Sequence, residues 1–379
     1  MKKQLSLLLL SVLSTASFAQ DYFQQKVDYT IDVKLYDQEN ILRGYEEFEY
    51  QNNSNDALSF IYVHLWPNGY KNNETALAKQ LYDMGKMSLE FASEDERGYI
   101  DSLDFKVNGQ TAKWEFDAEH IDICKVILNQ PLKPGESMTV STPFKVKVPS
   151  GDISRLGHVG ESYQITQWYP KPAVYDKNGW HQMPYLTQGE FYSEYGTFDV
   201  SITLPKNYVV GATGDLQTES EIEFLVKKAE ETKEKYKKDD FGDDEFPESD
   251  TAFKTIRYTQ KNVHDFAWFA DKRFEVLQGE VELPHSGRMV TSWAMFVPHH
   301  AELWEDAIEY LDDEGNRTPE KWPDILLLDL NMPKKNGLEV LSQIKSTPSL
   351  KKLPVIIFTT SRSEKDISLS YENFASCYI

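Results

Sequence analysis

Alternation of apolar and polar positions dominates the chain from about Tyr22 to Pro298. Tyr29-Thr30-Ile31-Asp32-Val33-Lys34-Leu35, Ser137-Met138-Thr139-Val140 and Phe198-Asp199-Val200-Ser201-Ile202-Thr203-Leu204 all repeat with period two. Successive side chains of a strand point to opposite faces, so each stretch predicts a strand with one buried and one solvated face. Asn108-Gly109 separates Phe105-Lys106-Val107 from Thr111-Ala112-Lys113-Trp114. Both turn residues tolerate positive φ, which predicts a tight hairpin. Short strands at this spacing predict antiparallel sheets arranged as a sandwich.

The pattern breaks twice. Glu219 to Lys238 carries opposite charges three and four residues apart, and Asp239 to Glu245 is acidic. The first run predicts an exposed helix, and the whole reads as an acidic, solvated helical insertion over 219–250. Its oxygens do not follow the spacing of a Ca²⁺ loop. After about His300 the texture changes. Asp324 to Asp329 and Leu353 to Phe358 are continuous apolar runs, interleaved with helix candidates at 301–311, 337–346 and 363–375. Apolar strands alternating with helices predict a parallel sheet buried on both faces. The expected fold is therefore multidomain. An all-β antiparallel sandwich or saddle domain over 20–300 precedes a partial α/β doubly wound, flavodoxin-like unit over 301–379.

Composition narrows the function. At 379 residues the chain has room for two to three domains. Lys and Arg total 40 against 61 Asp and Glu, a net charge of -21, which argues against nucleic acid or an anionic membrane as partner. Cys124 and Cys377 are too far apart in the chain to form a disulfide framework or a metal cluster, and each reads as a structural thiol. Lys2 and Lys3, the apolar run Leu5 to Leu13 and Ser17-Phe18-Ala19 read as a signal peptide over 1–19, cleaved after Ala19. No other run approaches the ~20 apolar residues of a spanning helix. The expectation is an exported chain, periplasmic or secreted, without a transmembrane span.

Two resemblances give the chemistry. Gln164-Ile165-Thr166-Gln167-Trp168-Tyr169-Pro170-Lys171-Pro172-Ala173-Val174-Tyr175-Asp176 resembles a signature of bacterial aminopeptidase N-like zinc metallopeptidases. Asn262-Val263-His264-Asp265-Phe266-Ala267-Trp268 is similar to the strand that closes their amino-terminal β-domain, and the likeness covers roughly 22–310. The resemblance implies a substrate-side role for Thr166 and Gln167, with peptides as ligands of the β-domain. Tyr169 stands where well-known members carry Glu or Gln. A helical H-E-x-x-H would hold Zn²⁺ on two imidazoles one turn apart. The histidines are His64, His120, His158, His181, His264, His285, His299 and His300, and no two are four apart. The family's Gly-x-Met-Glu-Asn segment is absent as well. His299-His300 with Glu302 lacks the spacing and reads as a loop or helix start. The expectation is no Zn²⁺ and no peptidase activity.

The stretch Asp324 to Ile379, with Leu328-Asp329-Leu330-Asn331-Met332-Pro333 followed by Gly337, resembles a CheY-like response-regulator receiver domain. That resemblance implies Asp329 as phosphoacceptor, the backbone carbonyl of Asn331 as a Mg²⁺ ligand, Thr359 as the switch hydroxyl and Tyr378 as the switch aromatic. It also implies a histidine kinase as partner. Receivers begin with a strand ending in an acidic pair, and no such pair precedes Asp329 at the required distance. Asp312-Asp313 lie too close and read as solvated helix-end charges. The last residue, Ile379, falls two positions before the family's phosphoryl-binding Lys. The expectation is a truncated receiver with an incomplete Mg²⁺ site, which binds the metal weakly and does not accept phosphate from acetyl phosphate.

The two halves point to different compartments, since the leader directs export and a receiver works in the cytoplasm. The changeover falls between Glu302 and Asp324. Three readings stand at this point: a phosphoacceptor remnant on a non-catalytic peptidase β-domain, an exported peptide- or partner-binding β-domain, and a chimera of two unrelated genes.

Overall fold

The structure is a computed structural model. It describes residues 22–189, 191–238, 240–282, 287–301 and 304, then 326–328, 337–346, 355–357, 370 and 377–378. It divides into two units, residues 1–276 with 295–299, and residues 277–294 with 300–379. The fold is β-rich and multidomain, as the alternation and the terminal apolar runs imply.

The first unit is built on a nine-stranded sheet. Its central strands are Phe253–Val263, Gly196–Pro205, Lys26–Tyr36, Ile41–Gln51 and Ser137–Lys147, in that spatial order. The period-two expectation is realised directly. Val27, Tyr29, Ile31, Val33 and Leu35 all point inward, with solvated or half-buried residues between them. The hairpin of Val174–Asp176 with Gly179–His181 and two four-stranded sheets accompany the nine-stranded sheet. One holds Gly157–Val159, Ser162–Ile165, Trp268–Asp271 and Val209–Ala212, and the other Lys171–Pro172, Leu58–His64, Ile123–Leu132 and Lys113–Phe116. A single apolar cluster draws residues from all three sheets, including Phe48, Val126 and Trp268.

Three local readings are settled here. Asn108 and Gly109 take φ values of 50° and 77°, and Lys106–Val107 pairs with Gln110–Thr111 across them. The hairpin is real but short, because Lys113–Phe116 leaves for a different sheet and pairs with Ile123–Leu132. The sheets of the first unit are antiparallel as expected, save that among its described strands Lys26–Tyr36 and Gly196–Pro205 run parallel, with Ile31 beside Val200. The long excursion between these strands supplies the crossover that parallel neighbours require.

The solvated insertion also needs correction. Helix α1 spans Ala76–Asp83, and α2 spans Glu219–Lys238 as the charge spacing predicts. One face of α2 is buried, however, through Glu221, Leu225, Ala229 and Thr232. The Glu221 carboxylate accepts from Lys254 Nζ at 2.7 and 2.9 Å, and Thr232 Oγ1 donates to Glu275 Oε2 at 3.0 Å. Buried polar groups with partners carry little net penalty, so a polar helix face packs inward here.

In the second unit, Leu326–Leu328, Val355–Ile357 and Cys377–Tyr378 form a parallel sheet in that order. Among the described residues Leu326–Leu328 and Cys377–Tyr378 are its edges. Helix α3 spans Gly337–Ser346, the expected range, with Leu341 buried.

Candidate functional site

The two segments that carry the peptidase resemblance meet at one carboxylate. Ile165 pairs with Trp268 across the sheet. The chain then leaves the strand through Gln167, whose φ of 48° is left-handed and turns the following residues inward. Trp168 is buried and donates Nε1–H to the carbonyl of Phe266 at 3.0 Å. Tyr169 Oη donates to Asp265 Oδ1 at 2.8 Å, and Gln167 Nε2 donates to Asp265 Oδ2 at 3.3 Å. The Phe266 amide donates to Oδ1 at 2.8 Å. Lys171, buried, donates to the His264 carbonyl at 2.6 Å and stands 3.3 Å from Asp265 Oδ1.

Electrostatics follow from that arrangement. Burial raises the Asp265 carboxyl pKa, but the Lys171 charge and the donors from Tyr169, Phe266 and Gln167 outweigh it and hold it below the usual range. Burial lowers the Lys171 ammonium pKa, and Asp265 offsets part of that cost. Burial, followed by the Asp265 charge, pushes the Tyr169 phenol well up. Nearby His64 is buried, stacks on Trp66 and accepts the Met183 amide on Nε2 at 3.1 Å. Burial and the Lys171 charge lower it to about 3, so it stays neutral.

Of the expected substrate-side pair, Gln167 has its amide committed to Asp265, while its Oε1 and the Thr166 hydroxyl are buried without a partner among the described residues. The carboxylates that sequence reasoning passed over are Asp265, Glu46 and Glu194. Glu46 sits at the inward phase of Ile41–Gln51, between the buried Leu42 and Phe48. Neither of its oxygens has a partner among the described residues, and burial raises its pKa well above the usual range. A polar residue at an inward position of an alternating strand was the signal available. Glu194, also buried, is raised to about 7 by desolvation, despite amide donors from Gln25 and Tyr175. Close by, Asp176 bonds His181 Nε2 at 2.7 Å and accepts from Tyr192 Oη at 3.4 Å.

In the second unit the register aligns Leu328 with Ile357, and Ile357 with Tyr378. Tyr378 is thus a strand residue. Asp329, Asn331 and Thr359 lie outside the described residues, as do Asp312-Asp313 and the leader 1–19. His299 sits in the short 3-10 turn Pro298–His300 with its ring against Asp244. Cys124 is a buried thiol. No helix among the described residues is long and apolar enough to cross a membrane.

Comparison with known proteins defines the class first. Residues 293–379 match the response regulator receiver domain family. Particular relatives come next. Response regulator Rcp1 of Synechocystis sp. is 45% identical over 73 residues, 19% of this chain and 50% of that protein. The probable methanogenesis regulatory protein FilR2 of Methanothrix harundinacea is 41% identical over 75 residues, 19% of this chain and 46% of that protein. The chain spans about half the length of these relatives. Among solved structures, the phosphorylated cyanobacterial phytochrome response regulator RcpA shares 49% identity, covering 20% of this chain and 54% of its own, with a TM-score of 0.17. An M1 zinc metallopeptidase of Deinococcus radiodurans shares 14% identity, covering 90% of this chain and 57% of its own, with a TM-score of 0.41.

Proposed function

We propose that this chain is a receiver-type phosphoacceptor of two-component phosphorelay signalling, joined to an aminopeptidase N-like β-domain that carries no catalytic centre. The family match over 293–379 carries the reading. The parallel register of Leu328 with Ile357 supports it, because ligands of open α/β sheets bind beyond the carboxyl ends of such strands. In this proposal a histidine kinase is the donor. A carboxylate oxygen of Asp329 bonds to phosphorus as the bond to the kinase imidazole breaks. The Thr359 hydroxyl hydrogen-bonds the transferred group, and Tyr378 follows its state.

Two anions meet in that step, so a cation is required. Asp329 and the Asn331 carbonyl would hold Mg²⁺, which supplies charge neutralisation there. They provide two oxygens toward the roughly six that Mg²⁺ takes, so its binding is weak and transfer slow. The β-domain is non-catalytic in this reading because the sequence holds neither H-E-x-x-H nor Gly-x-Met-Glu-Asn. The leader favours a second reading, in which an exported β-domain docks peptides and the receiver is a vestige or the other half of a chimera.

The test is treatment of the full chain with phosphoramidate, a P–N donor like a kinase phosphohistidine, at graded Mg²⁺, then reduction with borohydride and peptide mapping. Conversion of Asp329 that is absent at low Mg²⁺, appears at high Mg²⁺ and is lost in Asp329→Asn is expected, with none from acetyl phosphate. Conversion of a different carboxylate, or none at any Mg²⁺, overturns the phosphoacceptor assignment. A mature chain beginning at Gln20 would favour the second reading.

A further inference from the structure

The last turn of α1 and the segment that follows it expose several large apolar side chains. Leu81 and Leu89 are buried and anchor this stretch. Between and beyond them Tyr82 is 58% exposed, Met84 36%, Met87 38% and Phe91 81%. Large apolar side chains presented together and rimmed by polar residues mark interaction sites, and methionines suit a surface that must adapt to its partner. Met87, Phe91, Ala92 and Ile153 line a pocket of about 220 Å³.

That pocket opens beside a second cleft. Glu96, Ser150 and Asp152 line both. The second cleft, about 680 Å³, carries Glu39, Asp95, Glu96 and Asp152. Against these four carboxylates stand Lys147, whose Nζ donates to the Glu39 carbonyl at 2.9 Å, and His158. Burial lowers the His158 pKa, so it brings no charge at neutral pH. Donors from the Ser93 amide and hydroxyl lower the Glu96 carboxyl pKa, so it remains ionised. The shared wall is a fixed backbone. The Ser150 amide donates to the Glu96 carbonyl at 2.9 Å, and the Gly151 and His158 amides bond across to His158 and Pro149 at 2.9 Å.

We propose that these adjoining clefts form a docking surface for a cationic peptide segment of a partner protein. A large apolar side chain seats against Phe91 and Met87, and neighbouring Lys or Arg residues lie in the trough of Glu39, Asp95, Glu96 and Asp152. Charge complementarity selects this occupant. A neutral apolar segment would leave the four carboxylates unanswered, and an acidic one would be repelled. The surface is independent of Asp329 and of the receiver.

Fluorescence anisotropy of a labelled Lys-rich peptide with a central Leu-Trp pair, titrated with the full chain, tests this. Binding is expected, with loss of affinity by about tenfold, ~1.4 kcal/mol, in Phe91→Ser and again in Asp152→Lys. Phe91 is exposed, so its variant should fold, and circular dichroism checks this. Glu47→Lys, on the solvated side of Ile41–Gln51, should leave the affinity near the parent value. Equal binding by a twin peptide with Leu-Trp replaced by Ser-Ser, no effect of Phe91→Ser, or no binding of the parent peptide would each overturn the proposal.

Discussion

Lys171 and Asp265, from two segments far apart in the chain, meet 3.3 Å apart at the end of a four-stranded sheet, with the ammonium buried. Around them converge Gln167, Tyr169 and the amide of Phe266. The contact ties the motif at 164–176 to the strand at 262–268. Removing one partner of a buried pair strands the other, and this typically costs about 3–5 kcal/mol. Lys171→Met should therefore lower the unfolding free energy by roughly 3 kcal/mol, and Asp265→Asn on that background should recover part of the loss. Urea titrations of Lys171→Met, of Asp265→Asn alone and of the double variant measure the coupling. Strictly additive losses would mean the two charges act separately.

Glu194 and Asp122 set a pH dependence of known sign. Burial raises Glu194 from 4.5 to about 7 and Asp122 from 3.8 to about 6. The folded state then binds more protons than the unfolded one between those limits. Stability is fully present below the unfolded values and falls as pH rises through the folded ones. Glu194→Gln should flatten the slope between about pH 4.5 and 7, a difference on the order of 3 kcal/mol for a group this buried. Thermal midpoints across that range, wild type against variant, provide the check, and an unchanged slope would refute it.

Glu46 is a further buried carboxyl, and it has no partner among the described residues. Replacing such a group by an apolar one of similar size is neutral or stabilising, typically by about 1–3 kcal/mol. Glu46→Leu is expected to raise the denaturation midpoint. A loss of several kcal/mol would show that the carboxyl makes a bond that matters.

Two glycines should respond in opposite measure. A Cβ on Gly196 would lie 1.6 Å from the Val27 carbonyl oxygen, where the parallel strands begin to pair. Gly196→Ala should prevent folding or cost at least about 3 kcal/mol. A Cβ on Gly109 meets nothing within 4 Å, and the φ of +77° is the penalty, so Gly109→Ala should cost only about 1 kcal/mol. Comparing the soluble yield and melting of the two variants decides this, and equal effects would contradict the packing at Gly196.

The strands around Tyr29 to Leu35 and Phe198 to Leu204, the Asn108-Gly109 turn and helix α3 were legible in the residues alone. Each depends on local rules: the two-residue pleat, the cost of positive φ and the helical repeat. The receiver was legible for a related reason, since its motif is a short local string around Asp329. The candidate cluster was legible only in halves. Both segments could be read, but their meeting at Asp265 could not, because a hydrogen bond between residues some hundred positions apart leaves no local trace.

Period and turn chemistry by themselves determined which segments became strands. Tertiary structure alone decided that Lys26–Tyr36 lies parallel to Gly196–Pro205, that α2 buries a polar face against Lys254 and Glu275, and that Glu46 faces inward unpaired. The physical reason is one of range. Backbone preferences are spent within a few residues, whereas burial of a charge is settled by whichever distant groups the fold brings to it.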